Sequence, residues 1–150
     1  MNKIFVKIAV ALLGFYTLLL SYWMLIGFGR RSTSNHYMIN LRPFETISHF
    51  MQFDRFNTSI WVVNLIGNIA VFVPFGVLLP IVFGKRIGKT YFVFFVGLLI
   101  LEGLQLVSRR GSFDIDDFIL NSVGFFFGYG IFRLLYLIKM NMKRPSRSDI

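Results

Sequence analysis

The feature that most constrains this chain is a pair of long segments without a single charged residue. Ile8 to Phe28 is one and Ile60 to Phe83 is the other. A helix that crosses a bilayer needs about 20 mostly apolar residues, because the hydrocarbon is ~30 Å thick and each residue rises ~1.5 Å. Two further segments approach or reach that length. Thr90 to Val107 is apolar but for Glu102 and Gln105, and Phe118 to Ile138 carries Arg133 as its one charge. None shows the strict alternation of a half-buried strand. With 55% hydrophobic residues, 15% charged residues and nineteen Phe in 150 positions, a disordered chain is excluded and a soluble enzyme is disfavoured. The expected architecture is an all-α membrane protein with four transmembrane helices. It forms one integral domain over 1–150, with a polar tail from 141.

Charge sets the expected orientation. Sixteen Lys and Arg against seven Asp and Glu give +9. In a soluble chain this would suggest nucleic acid. Here the basic residues lie between apolar runs, where they fix topology and meet lipid headgroups, so no nucleic-acid partner is expected. With the N-terminus inside, the cytoplasmic flanks hold Lys3, Lys7, Lys85, Arg86, Lys89, Lys139, Lys143, Arg144 and Arg147, nine in all. The outer flanks hold six: Arg30, Arg31, Arg42, Arg55, Arg109 and Arg110. The rule therefore favours a cell-membrane protein with both termini cytoplasmic. Lys3 and Lys7 before a long apolar run read as an uncleaved signal anchor. The long loop from Gly29 to Ser59 calls for internal structure. Pro43 followed by Phe44, Ile47, Phe50 and Met51 predicts an interfacial or re-entrant helix, with Pro43 suited to its first turn.

Polar groups inside a span are costly and need a reason. Asn64 and Asn68 share a face of the second span. Glu102 and Gln105 share a face of the third. Glu102 lies twelve residues beyond Thr90, or ~18 Å of rise, in the outer half. Asn121 opens the fourth span, preceded by Asp114, Asp116 and Asp117. With Arg109, these residues gather at one end of the bundle. Structural readings stand beside functional ones. Asn64 and Asn68 can cross-link helices, Asp116 or Asp117 can cap the fourth span, and Arg109 and Arg110 can bind lipid phosphate. The three acids form a candidate for a hard cation, although no metal and no cofactor are expected. Gly124 and Gly128 let another helix approach closely. With no Cys, disulfides, thiolate zinc sites and a Cys nucleophile are excluded.

The order of these motifs carries a family likeness. Asn40-Leu41-Arg42-Pro43-Phe44 comes first, then Asn64-Leu65-Ile66-Gly67-Asn68 running into Phe72-Val73-Pro74-Phe75-Gly76. Glu102-Gly103-Leu104-Gln105 and Arg109-Arg110 follow, and the series ends with Asp114-Ile115-Asp116-Asp117 through Asn121 to Gly124. From about Asn40 to Gly128 the succession resembles the VanZ-like family. The resemblance implies a small polytopic membrane protein of Gram-positive bacteria, in a family whose founding member is associated with teicoplanin resistance.

Two classes of function are expected to compete. One is an envelope protein whose outward polar cavity binds an amphiphile. Its partners would be membrane lipids and a lipid-linked cell-wall precursor or glycopeptide. Asn64, Asn68, Glu102, Gln105, Asp114, Asp116, Asp117 and Asn121 would form the binding cluster, with Arg109 or Arg110 holding a phosphate. The other is a membrane hydrolase or transferase with Glu102 as general base and the three Asp as acid or metal ligands. The chain has no obvious nucleophile–base pair, which disfavours the enzyme. A lipid transporter is disfavoured by the lack of internal repeats.

Overall fold

A computed structural model describes residues 3–27, 39–50 and 65–142. Their order is α1 (Lys3–Leu25), β1 (Ile39–Asn40), α2 (Glu45–Phe50), α3 (Gly67–Phe83), α4 (Ile87–Ser108), β2 (Phe113–Asp114) and α5 (Ile115–Met142). The chain is helical, as its apolar runs require. By length and composition α1, α4 and α5 can each cross a membrane, while α3 is a shorter apolar helix of 17 residues. Of the expected 60–83 span, 67–83 is α-helical, 65–66 is a π-type turn, and 60–64 lies outside the described residues. Helices α1, α4 and α5 also begin earlier than their apolar runs. Lys3 and Lys7 are helical, because a charge near a helix end costs little when its head can reach water.

Four helices pack as two parallel pairs. The C-terminal ends of α1 and α4 meet the N-terminal ends of α3 and α5, which run the other way. The tightest pair is α3 with α5. A Cβ on Gly124 would run into the backbone oxygen of Ile69, one on Gly128 into that of Val73, and one on Gly76 into that of Phe125. Three glycines thus bring two backbones into contact, which is how helices associate where lipid offers no hydrophobic drive. Around this seam an aromatic core forms from Phe72, Phe75, Phe94 and Phe125, with Phe94 and Phe125 stacked at 4.7 Å. Helix α1 is attached more lightly. It buries Ala9 and Leu20 and sends the Tyr16 hydroxyl to the Val71 carbonyl at 2.7 Å. Its remaining side chains, Phe15 and Leu18 among them, are largely exposed. A surface of that kind suits lipid and not water.

Both ends are closed by short devices. At the basic end Gly84, with φ +100°, turns α3 into α4. The Tyr129 hydroxyl donates to the Lys85 carbonyl at 2.7 Å, and the Lys85 ammonium sits 3.5 Å from the Tyr136 ring centre. At the other end Arg109 takes a left-handed conformation, φ 55°, and stops α4. Its N–H reaches the Leu106 carbonyl and the Arg110 N–H reaches that of Gln105, at 3.0 and 3.1 Å. This is a Schellman ending with Arg where Gly is usual. The chain then runs into β2, which pairs in parallel with β1, Ile39 beside Phe113 and Asn40 beside Asp114.

The helix expected near Pro43 exists but is built differently. It starts at Glu45, so Pro43 lies outside it, and Phe44 stands just before it with φ 64° and its side chain exposed. Hydrogen bonds hold this segment, as described below. Met51 falls outside the described residues.

Candidate functional site

The polar end of the bundle surrounds a cavity of about 400 Å³. Leu20 and Met24 of α1, Thr46 of α2, Asn68 and Phe72 of α3, Glu102 and Gln105 of α4, and Asp117, Leu120 and Asn121 of α5 line it. Gly111, Ser112 and Asp114 close one side. Helix spacing explains the convergence. Asp117, Asn121 and Gly124 follow steps of four and three on α5, so the face that packs on α3 lower down turns its polar residues into the cavity. Glu102 and Gln105 do the same from α4, and both are buried.

The surrounding polar groups divide by role. Asn68 donates to Asp117 at 2.9 Å and ties α3 to α5. Gln105 donates to the Met24 carbonyl at 3.0 Å, and Arg110 donates to the Leu25 carbonyl at 2.9 Å. Those two carbonyls lie in the last turn of α1, so Gln105 of α4 and Arg110 just beyond it help cap α1 in trans. Asp114 accepts the Asp116 N–H at 2.9 Å and is therefore the N-cap of α5. The expected cap, Asp116 or Asp117, is corrected: the helix begins at Ile115, so the residue before it has the capping geometry. Asp114 also accepts the Thr46 hydroxyl at 2.5 Å and, at 3.4 Å, the Asn40 amide. Asp116 is fully buried and caps a different helix. Its two oxygens accept the N–H groups of Phe44 at 2.6 Å and Ile47 at 3.0 Å, at the start of α2.

Two further polar residues are buried at the cavity. Glu102 is 1% exposed and Asn121 is 2% exposed. Among the described residues nothing donates to the buried side-chain oxygen of Asn121. Leaving such an acceptor unsatisfied costs ~1–3 kcal/mol. A group that enters the cavity and donates to it recovers that energy.

The expected cluster is therefore largely assembled, with exceptions. Asn68, Glu102, Gln105, Asp114, Asp117 and Asn121 share the cavity. Asp116 belongs to the same end but serves α2. Arg109 is exposed and outside the cavity lining, because the left-handed turn at its own position ends the helix before a further turn can form. Asn64 lies outside the described residues. Asp114, Asp116 and Asp117 do not converge on one point. Among the described residues no three His, Asp or Glu side chains are grouped to hold a metal ion.

A family model for VanZ/LLP1 matches residues 6–136. The chain belongs to the VanZ/LLP1 family. It is similar to Protein VanZ of Enterococcus faecium, with 34% identity over 112 residues. The matched region is 73% of this chain and 60% of that protein, so the chain spans less than two thirds of its relative's length. No solved structure matches. Membership and the apolar helices together make this a helical membrane protein.

Within this VanZ/LLP1 chain, sequence reasoning gave no role to Asn40 and left Thr46 out altogether. Asn40 accepts the Arg42 N–H at 3.0 Å and donates to Thr46 at 3.1 Å, so it folds its own loop and links it to Asp114. Its place in the first quoted motif was the available signal. Nothing local marked Thr46, whose partner is 68 residues away.

Proposed function

We propose that this VanZ/LLP1 protein is a four-crossing protein of the cell membrane, with both termini cytoplasmic and the polar cavity facing outward. In this reading it binds the polar head of an envelope amphiphile, such as a lipid-linked cell-wall precursor or a lipoglycopeptide, and lowers susceptibility to teicoplanin. The observation that carries the reading is the cavity itself. It sits at the bundle's polar end with Glu102 and Asn121 buried in its wall, and its ~400 Å³ fits the range of small-molecule sites. A polar chamber beside lipid-facing helices suits a ligand with a polar head and an apolar tail. The similarity to Protein VanZ supports the resistance context. The hydrolase reading has less support, since Asp114, Asp116 and Asp117 are each engaged with separate partners.

The test is Glu102→Gln, which preserves shape and removes the carboxylate. Expression and membrane insertion should be normal, while the effect on teicoplanin susceptibility is lost. Binding of a photoreactive lipoglycopeptide should fall about tenfold or more, as loss of a charge-assisted hydrogen bond predicts. A fully active variant would reduce Glu102 to helix packing and remove the reading's main support.

A further inference from the structure

A second cavity lies beside the first, an apolar groove of about 440 Å³ between α1, α3 and α4. On α3 its lining runs from Phe72 to Phe83, and on α4 from Val93 to Leu104. Each of these stretches rises ~16 Å along its helix. That is about half of the ~30 Å hydrocarbon, the depth of one leaflet and hence the reach of one lipid chain. The volume holds on the order of fifteen water-sized groups at ~30 Å³ each, and a methylene is about that size. Spread over ~16 Å they form a single file, so the groove is one hydrocarbon chain wide.

Its walls suit such an occupant. The two hydroxyls on the groove, Thr17 and Ser21, each donate to a carbonyl one turn back in α1, at 2.7 Å. Their protons are spent on their own helix, so an apolar occupant leaves neither donor unsatisfied. Gly97 lines the groove and is exposed, and a Cβ there would meet open space. Ile100 and Leu104 on the same helix are exposed too, so the α4 rim of the groove opens to the lipid around the bundle. The groove also adjoins the polar cavity. Phe72 belongs to both walls, and on α4 Leu101 and Leu104 line the groove where the next residues, Glu102 and Gln105, line the polar cavity.

We propose that the groove is the chain subsite of the polar cavity and takes one hydrocarbon chain of the amphiphile whose head that cavity holds. This rests on the amphiphile reading above and adds to it where the tail goes and that it is single. Bulk lipid is as apolar as the groove, so burial alone gives a chain no reason to prefer it. The preference comes from the tether, because a head held beside Phe72 raises the local concentration of its own chain at the groove. Gly97 is then the residue that keeps the groove wide enough.

The test uses the full chain in phosphatidylcholine nanodiscs and a minimal lipid-linked sugar, dodecyl glucosyl phosphate, with a diazirine either at the chain end or on the sugar. Sugar adducts should map to the polar cavity, at Leu20 or Leu120. Chain-end adducts should map to the groove, at Phe75, Leu79 or Leu98, and not to the outward Phe92 or Phe127. Saturating methyl glucosyl phosphate, a head without a chain, should lower the groove adducts about tenfold or more and leave outward adducts unchanged. Gly97→Leu fills the groove and should lower them about tenfold, whereas Gly130→Leu, equally open at its Cβ but outside both linings, should not. If Gly97→Leu does not fold, the competition on the unaltered chain decides alone. Saturable sugar adducts with chain ends spread over the outer faces, or groove adducts that ignore the competitor, overturn the chain subsite while leaving amphiphile binding standing. No saturable sugar labelling overturns both.

Discussion

Removing the Asp116 carboxylate should release the segment that closes the cavity. Asp116 sits at the start of α5, wholly buried, and accepts the N–H groups of Phe44 and Ile47. These are the amides that open α2, and Phe44 is held in a left-handed conformation that costs about 1–2 kcal/mol in a non-glycine residue. Hydrogen bonds to a charged acceptor each contribute about 1.5–3 kcal/mol, so Asp116→Ala removes at most about 3–6 kcal/mol. Phe44 is 60% exposed, and a freed amide there can turn to water. The net loss is therefore nearer about 2–4 kcal/mol of local stability. Thr46 and Asn40 still bind Asp114, so the segment should loosen and not leave. Hydrogen exchange reads this directly. Amides of residues 44–48 should exchange about thirtyfold to a thousandfold faster, since ~1.4 kcal/mol is a factor of ten. The α3 and α5 amides away from the capping site should keep their protection. Unchanged exchange at Phe44 and Ile47 would refute the view that Asp116 caps α2.

Four further outcomes can be measured. Gly128→Leu should lower unfolding stability by about 1–3 kcal/mol or more, because its Cβ meets the Val73 carbonyl. Gly103→Ala, with open space at its Cβ, should be neutral or stabilise by up to about 1 kcal/mol in the same denaturation series. Gln105→Leu removes the bond to the Met24 carbonyl and should cost about 1–2 kcal/mol, read as faster exchange in the last turn of α1 with α3 and α5 unaffected. Single cysteines at Ser34, Lys89 or Ser112 in this Cys-free chain should react with an impermeant thiol reagent from outside at Ser34 and Ser112 only. Labelling at Lys89 alone would invert the orientation and turn the cavity to the cytoplasm.

The sequence by itself determined the apolar helices and the end at which the polar groups collect. Apolar runs of bilayer length dictate helices, because backbone amides in hydrocarbon must be satisfied within their own segment. The three- and four-residue spacing of Asp117, Asn121, Gly124 and Gly128 already assigned one face of α5 to both packing and polarity. Tertiary structure decided what each polar residue does. Asp114, Asp116 and Asp117 look interchangeable in the chain, yet they cap α5, cap α2 and bind Asn68. Helical rotation turns neighbouring carboxylates by about 100° each, toward different elements. Arg109 was expected in the polar cluster, but the left-handed turn at its own position leaves it outside the cavity lining. The parallel pairing of Asn40 with Asp114 joins positions far apart in the chain, and no local pattern encodes it. The groove beyond Phe72 was equally hidden, since a gap between three helices depends on how closely they pack and not on the period of any one of them.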